Sequence, residues 1–459
     1  MKHMSLQEIS DACGGTYHGS KEAASAKVSS VVIDSRKAEN GSLFVAIKGA
    51  RVDGHDFIPQ VMEKGARCAV SEQDLGDVPY PYIRVESCKQ ALKDIAEHYR
   101  RSLDIKVVSI SGSVGKTSTK EMIASVLGQK YNVLKTEGNF NNEIGLPLTV
   151  FNIREEHEVA VLEMGISGFG EMTRLAKIAR PDVCVITNIG VAHLENLGSR
   201  DGILKAKTEM FAYMNPEGTI ILNGDDDKLS AFTPENGIAP TYFGLSASCP
   251  FHAENVLSQG LKGTSADFVT PKSRFHAHIS IPGSHMVYNA LAGIAVGYAL
   301  GMTDEEIACG IEKNVTIAGR NNIIETEKYT IIDDCYNANP ASMKASLDVL
   351  SCTDTRTVAI LGDMFELGES SERMHHEVGV HAEESGINVL ICIGELTAAT
   401  IRGAKEASEK TGTPMETRLF DTKEDFFHEA DNLLKKNDTI LIKASNAMGF
   451  AEIVNRLKN

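Results

Sequence analysis

From about residue 104 onward, short apolar runs recur, each closed by a polar residue and followed by a stretch with helical spacing. The runs at 159–162, 183–186 and 219–222 have the length and composition of strands buried on both faces of a parallel sheet. A second series lies at 331–332, 357–361, 389–393 and 439–442. The alternation of strand and helix predicts doubly wound α/β units. Between the two series, residues 230–282 alternate polar and apolar in short pieces, which predicts antiparallel strands appended to the first sheet. A long buried helix follows Gly283-Ser284-His285, and a hairpin is expected over 322–333, turning near Glu327-Lys328.

Residues 1–103 read differently, with a helix at 6–13, a Gly14-Gly15 break, strands near 28–33 and 43–47, an apolar helix after Asp56, and a helix over 85–101. The fold class expected is α/β in three domains. They are a small α/β N-terminal domain (1–103), a central domain with a mostly parallel sheet (104–317), P-loop ATPase-like in its strand, Gly-Ser-Val-Gly-Lys-Thr turn and helix at 105–127, and a Rossmann-like C-terminal domain (318–459). Length agrees, since 459 residues divide into about three domains of ordinary size.

Composition narrows the function classes. The chain carries 46 basic and 62 acidic residues, a formal net charge of −16, which argues against general nucleic-acid binding. The longest apolar run, 290–302, falls short of the ~20 residues that span a bilayer, and MKHMSLQEIS lacks the apolar core of a signal peptide. A cytoplasmic protein with no membrane insertion is expected. Nine cysteines without a CxxC pair offer neither a zinc knuckle nor a redox motif, so reduced thiols are the default.

The clearest chemical signal is IKVVSISGSVGKTSTKEMIASVL at 105–127, a buried strand, a glycine-bearing turn and a helix in succession. Gly112 and Gly115 would let backbone N–H groups converge on phosphate oxygens, Lys116 would reach the outer phosphates, and the Thr117 hydroxyl suits Mg²⁺. The loop is shorter than the general pattern, with Ile110 where the first glycine usually stands; the alternative is a plain strand-to-helix turn containing Gly-Lys-Thr.

Ligands of open α/β sheets collect beyond the carboxyl ends of the strands. Those ends carry Glu163, Thr187-Asn188 with His193 soon after, and Asn223-Gly224-Asp225. Glu163 is either a metal ligand or a salt-bridged structural acid, with the ligand favoured because Mg²⁺ on a nucleotide takes one or two protein oxygens. On pattern alone His193 is most often a hydrogen-bonded loop residue. Residues 136–149, TEGNFNNEIGLPLT, read as a loop rich in side-chain donors and acceptors. Lys205 and Lys207, in a helix expected over 200–214, read as snorkelling surface lysines. Asn289 would cap its helix or reach a base edge. Asp34-Ser35-Arg36 suits a phosphate or carboxylate, or is a solvated loop. The last domain places Asp333-Asp334, Tyr336 to Pro340, Gly362-Asp363 and Lys443 at strand ends, without a GxGxxG fingerprint.

Taken together these residues resemble the Mur ligases, ATP-dependent amide-forming enzymes of peptidoglycan precursor synthesis. The shortened loop, NFNNEIGLPLT, VLEMG (161–165), TNIGVAHLENLGS (187–199), AKTEMF (206–211) and HMVYNALAG (285–293) carry the resemblance in the central domain. DSR, DGHDFI, DDCYNANPASM and LGDMFELG point to the branch that joins D-alanyl-D-alanine to UDP-N-acetylmuramoyl-tripeptide. The resemblance implies ATP and Mg²⁺ as cofactors, these two small-molecule substrates, a monomer, and an acyl-phosphate intermediate. Gly112, Ser113, Val114, Gly115, Lys116, Thr117 and Ser118 would hold the phosphates and Asn289 the adenine. Thr117, Glu163 and His193 would ligate metal, joined by Lys207 if carbamylated by CO₂. Arg320, Asn337 and Asn339 would close over the nucleotide. Lys116, Lys207, His193 and Arg320 would be the catalytic groups, and Ser35, Arg36, Asn139, Asn141, Asn142 and Lys443 would face the substrates.

Val114, Met286, Asn321-Asn322, Ala444 and Asn446 depart from the family pattern. Two alternatives remain, a sister ligase adding a single amino acid or glutamate, and a nucleotide-binding switch without turnover. The DSR and DGHDFI motifs set the first apart from folylpolyglutamate synthases, and ATP turnover dependent on a peptide amine would exclude the second.

Overall fold

The structure is a computed structural model, and it describes residues 4–412 and 415–458. Its three sheets each draw on one part of the chain. The middle sheet has nine strands. From one edge to the other they are Arg274–Ile279, Thr264–Val269, Phe251–Ser258, Thr241–Gly244, Thr219–Asn223, Val183–Ile186, Lys106–Ser111, Val159–Glu163 and Val133–Lys135. The seven strands from Phe251–Ser258 to Val133–Lys135 are parallel, and the other two extend the edge antiparallel. Val159, Ala160, Val161 and Leu162 are all buried because helices cover both faces of this sheet, which is why the run is continuous rather than alternating.

The helix Lys116–Leu127 follows the Lys106–Ser111 strand and packs against the apolar helix Met286–Ala299, burying Met122, Ile123 and Val126 with Ala290, Leu291 and Ile294 in one core. The first sheet has five strands, parallel apart from Thr16–His18 at one edge. The helix Cys88–Arg101 then leads into the middle sheet, with Leu92, Ile95 and Tyr99 in the core that joins the two. The third sheet has six strands, parallel except for the hairpin strand Asn322–Glu325.

Three expectations need correcting. The segment 136–149 is a loop only in part, since the helix Gly145–Phe151 begins within it, buried along Leu146, Pro147, Val150 and Phe151. The helix expected over 200–214 is α-helical only as Arg200–Thr208 and continues as the tighter turn Glu209–Tyr213. The appended strands are not all antiparallel, because Thr241–Gly244 and the start of Phe251–Ser258 continue the parallel ladder. Among the described residues no helix is long and apolar enough to cross a membrane.

Candidate functional site

The turn between the Lys106–Ser111 strand and its helix is shaped by backbone constraints. Gly112 has φ +153°, and a Cβ there would sit 1.9 Å from Thr187 Oγ1, so a side chain at this position would force Thr187 or the turn to move. Gly115, at φ +83°, takes the left-handed conformation that starts the helix. The neighbouring strand end holds the turn from outside. Asn188 Oδ1 accepts from Val114 N (3.0 Å), Asn188 Nδ2 donates to Val114 O (2.9 Å), and Thr187 Oγ1 donates to the same oxygen (2.6 Å). Val114 therefore contributes through its backbone, and a valine in place of a polar residue leaves the turn's shape intact.

Half-buried Lys116 donates to Gly112 O (2.9 Å), curling over the loop where a phosphate would enter. Burial pushes its ammonium below the ordinary lysine range, Glu163 opposes that shift and Arg320 adds to it. Glu163 ends its strand with only 2% of its surface exposed. One carboxylate oxygen accepts from Asn141 Nδ2 (2.8 Å), and the other, Oε2, is buried without a hydrogen bond. The nearest cation, Lys120 Nζ, stands 3.9 Å from that oxygen and donates instead to Thr136 O at 2.6 Å. An orphaned, buried carboxylate oxygen beside a phosphate loop fits a divalent cation, since leaving such a group unpaired is costly.

His193 sits at the start of the Leu194–Leu197 turn with φ +62°, and its Nδ1 lies 2.8 Å from Glu366 Oε2 of the third domain, within ion-pair range but off hydrogen-bond geometry. Burial lowers its pKa, Glu366 opposes this, and Lys116 and Lys207 lower it further, so three titratable groups share one crevice with the imidazole at its centre. Lys207 corrects the sequence reading. It is 1% exposed rather than at the surface, and among the described residues no carboxylate lies within ion-pair distance of it. Burial, with a smaller contribution from Lys116, holds its pKa well below the ordinary value.

Arg320 crosses from the third domain, stacks on Tyr336 with its guanidinium 4.1 Å from the ring centroid, and donates to Thr117 Oγ1 at 3.4 Å. Beyond it a cavity of about 380 Å³ opens between the two domains. Val114, Gly115, Phe243, Tyr288 and Asn289 line it from the central domain, and Ala345 from a helix of the third. Asn289 is the fourth residue of its helix and does not cap it; its Oδ1 accepts from Thr119 Oγ1 (2.8 Å). Ser113 and Ser118 flank the loop, Ser113 Oγ accepting from Gly190 N (2.9 Å) and Ser118 facing the cavity.

The remaining sequence candidates have structural partners. Asn339 caps the helix Pro340–Ser351, its Oδ1 accepting from Ser342 N at 2.9 Å. Asn337 Oδ1 accepts from Asn446 N (3.3 Å). Lys443 is buried, donating to Asp334 Oδ2 (2.5 Å) and Asn337 O (3.1 Å). Asn142 Oδ1 accepts from Gly145 N (2.9 Å) at the start of its helix, whereas Asn139 lies exposed in the loop before it. Ser35 and Arg36 lie apart in the turn Ser35–Lys37 of the first domain, where the Arg36 fork on Asp34 holds that carboxyl down to about 2. Lys120, Asp226 and Glu366 were not singled out from sequence. Of these only Asp226, which caps its short helix and accepts from Ile189 N at 2.8 Å, carries a local signal.

A glycine-bearing strand-to-helix turn on a mostly parallel sheet, faced by an arginine from a following Rossmann-like domain, has the architecture of the Mur ligases, and the chain belongs to the Mur ligase family. The family's "catalytic domain" model matches residues 27–100, its "middle domain" 110–297, and its "glutamate ligase domain" 319–446.

Within the family, the chain is 38% identical to the UDP-N-acetylmuramoyl-tripeptide--D-alanyl-D-alanine ligase of Bacillus subtilis (strain 168), over 93% of this chain and 92% of that one. The enzyme of the same name from Escherichia coli (strain K12) is 32% identical, over 100% of this chain and 99% of that one. Among solved structures, MurF from Acinetobacter baumannii superposes with a TM-score of 0.91 at 30% identity, over 100% of this chain and 99% of that one. MurF ligase from Thermotoga maritima, in complex with ADP, superposes at 0.82 and 30% identity, over 94% and 97%.

Proposed function

We propose that the chain is an ATP-dependent ligase that joins D-alanyl-D-alanine to UDP-N-acetylmuramoyl-tripeptide, releasing ADP and phosphate and giving the pentapeptide precursor of peptidoglycan. The observation that carries this reading is the similarity along all three domains to ligases of that name, at 38% and 32% identity over 92% and 99% of their lengths. The convergence of Lys116, Glu163, His193, Lys207 and Arg320 on one crevice supports it. With these residues drawn from a single chain, a monomer suffices as the catalytic unit, and the cytoplasm, where nucleotide-linked substrates are made, is its location.

In this reading the first domain holds the uridine nucleotide, with Ser35 and Arg36 near its charged groups. The cavity beside Asn289 takes the adenosine, and the loop Gly112 to Ser118 wraps the phosphates with backbone N–H groups. Lys116 leaves Gly112 O for the γ-phosphate, and Arg320 leaves Thr117 for the same charge, so both stabilise negative charge as the phosphoryl group moves to the tripeptide's terminal carboxylate. Thr117, Glu163 and His193 would hold Mg²⁺, which when bound neutralises phosphate charge. Lys207, buried and with its pKa held well below the ordinary lysine range, is suited to react with CO₂; the resulting carbamate would replace its ammonium with an anionic group. Asn141 fixes the Glu163 carboxylate and Asn139 and Asn142 border the path to the tripeptide. From the third domain Asn337, Asn339 and Lys443 hold the closing segment in shape. The incoming ammonium gives up one proton to solvent before the domains close, the free amine attacks the acyl carbon and the C–N bond forms, and phosphate leaves with the electrons of the C–O bond and takes up the second proton lost by the nitrogen, in a crevice from which domain contact excludes water.

The test is phosphate release from ATP and Mg²⁺ with UDP-N-acetylmuramoyl-tripeptide, with D-alanyl-D-alanine added, omitted or replaced by single amino acids. Release that requires both substrates and yields pentapeptide agrees with the reading. Release driven by a single amino acid but not by the dipeptide would move the chain to a sister activity.

A further inference from the structure

The segment after the strand Thr357–Gly362 is held from behind at three successive residues. Ser445 N donates to Asp363 O (3.1 Å), Met364 N donates to Nε2 of the buried His375 (2.9 Å), and Phe365 N donates to Ser445 Oγ (3.0 Å). The chain then turns at Glu366, which takes φ +63°, a conformation that residues with a Cβ rarely adopt. This turn carries the Glu366 carboxylate across the interdomain gap to within 2.8 Å of His193 Nδ1, while leaving the side chain 62% exposed. An unusual backbone conformation on a rigid support, aimed at a reaction centre, points to function rather than to packing.

The charges around it say what it receives. Lys116, Lys207 and Arg320 line the phosphate side, and the other carboxylate at the centre, Glu163, is buried with one oxygen on Asn141. An amine substrate reaches this crevice as an ammonium, which the Lys116 and Arg320 cations repel. We propose that Glu366 is the substrate-positioning residue that binds the ammonium of the incoming dipeptide, next to the site where the acyl phosphate forms. The inference rests on the ligase reading above and deepens it. The carboxylate exchanges His193 for the ammonium, and its part is to hold and orient the amine, not to take the proton.

The test compares wild type with E366Q and E366D in steady-state phosphate release, varying the amine, ATP and Mg²⁺ in turn. The amine is D-alanyl-D-alanine, or whichever amine the wild type is found to accept. That choice alone decides the substrate reading and leaves the Glu366 comparison intact. In E366Q the KM for the amine should rise by about ten-fold or more, as expected for losing a charged hydrogen-bond partner, with the KM for ATP unchanged. E366D should recover part of the loss. Hydroxylamine, a neutral nucleophile near pH 7, should gain on the dipeptide, so the ratio of hydroxamate to pentapeptide rises in E366Q. An unchanged KM for the amine, or a raised Mg²⁺ requirement with the amine KM unaltered, overturns the proposal; the second result would make Glu366 a metal-side residue.

Discussion

Two buried lysines, one in each of the domains that face each other, are treated in opposite ways. Lys443 in the third domain is held by Asp334 and the Asn337 carbonyl, a closed ion pair at the end of a strand. Lys207 in the central domain is as deeply buried, yet among the described residues no carboxylate lies within ion-pair distance of it, and Lys116 stands near enough to disfavour its charge. Glu163 repeats the contrast with its unbonded Oε2, whereas Asp334 accepts from both Lys443 and Ser346. Satisfied groups hold a fold together. Unsatisfied ones of opposite sign, left within one crevice, mark where a charged substrate completes the set.

The contrast breaks if the two clusters respond alike to mutation. The largest effect is expected on the unsatisfied side, where Lys116→Ala should lower phosphate release by about 10²–10³-fold while thermal unfolding changes little. Lys443→Met should do the reverse, destabilising the protein by about 3 kcal/mol because Asp334 is left buried without its cation; denaturant unfolding reads this directly. The paired control, Lys207→Met, should remove turnover yet leave stability equal to or above wild type, since it deletes an uncompensated buried amine. Gly112→Ala should weaken nucleotide binding, measured by calorimetry, because its Cβ would meet Thr187 Oγ1 at 1.9 Å and displace the loop.

The smallest expected effect concerns His375. Burial lowers its pKa, and in the neutral form Nε2 accepts from Met364 N while Nδ1 lies 2.8 Å from Ser371 O. A histidine whose folded pKa lies below its unfolded value of about 6.5 contributes stability above that pH, and the contribution is lost as pH falls through the folded value. The melting temperature should therefore fall on acidification below about pH 6.5, and His375→Gln should flatten part of that slope.

Much of the architecture is written in local pattern. The runs at 159–162 and 183–186 became strands because residues buried on both faces leave a continuous apolar signature, and Gly-Lys-Thr marked the glycine-bearing turn between a strand and a helix. Edge strands carry no such signature. Thr16–His18, Val133–Lys135 and Glu416–Phe420 have no fully buried residue, so their pairing is visible only in the fold. Lys207 was misread because helical spacing shows which face a residue occupies but not what another element packs over that face. Asn339, given a nucleotide role by the family resemblance, stands directly before proline at a helix start, and in the structure it caps that helix. Glu366 was missed because its meaning lies in His193, 173 positions away by subtraction of the two residue numbers.

The central claim is that the unsatisfied cluster, not the closed Lys443 network, receives the nucleotide and its metal. Crystals grown with a non-hydrolysable ATP analogue and Mn²⁺ in place of Mg²⁺ test it through the anomalous difference map. The account predicts a peak in bonding reach of Glu163 Oε2 and Thr117 Oγ1, with Lys116 withdrawn from Gly112 O onto the phosphates. A peak bound at Asp334, or a nucleotide seated with Glu163 Oε2 still unpartnered, would contradict it.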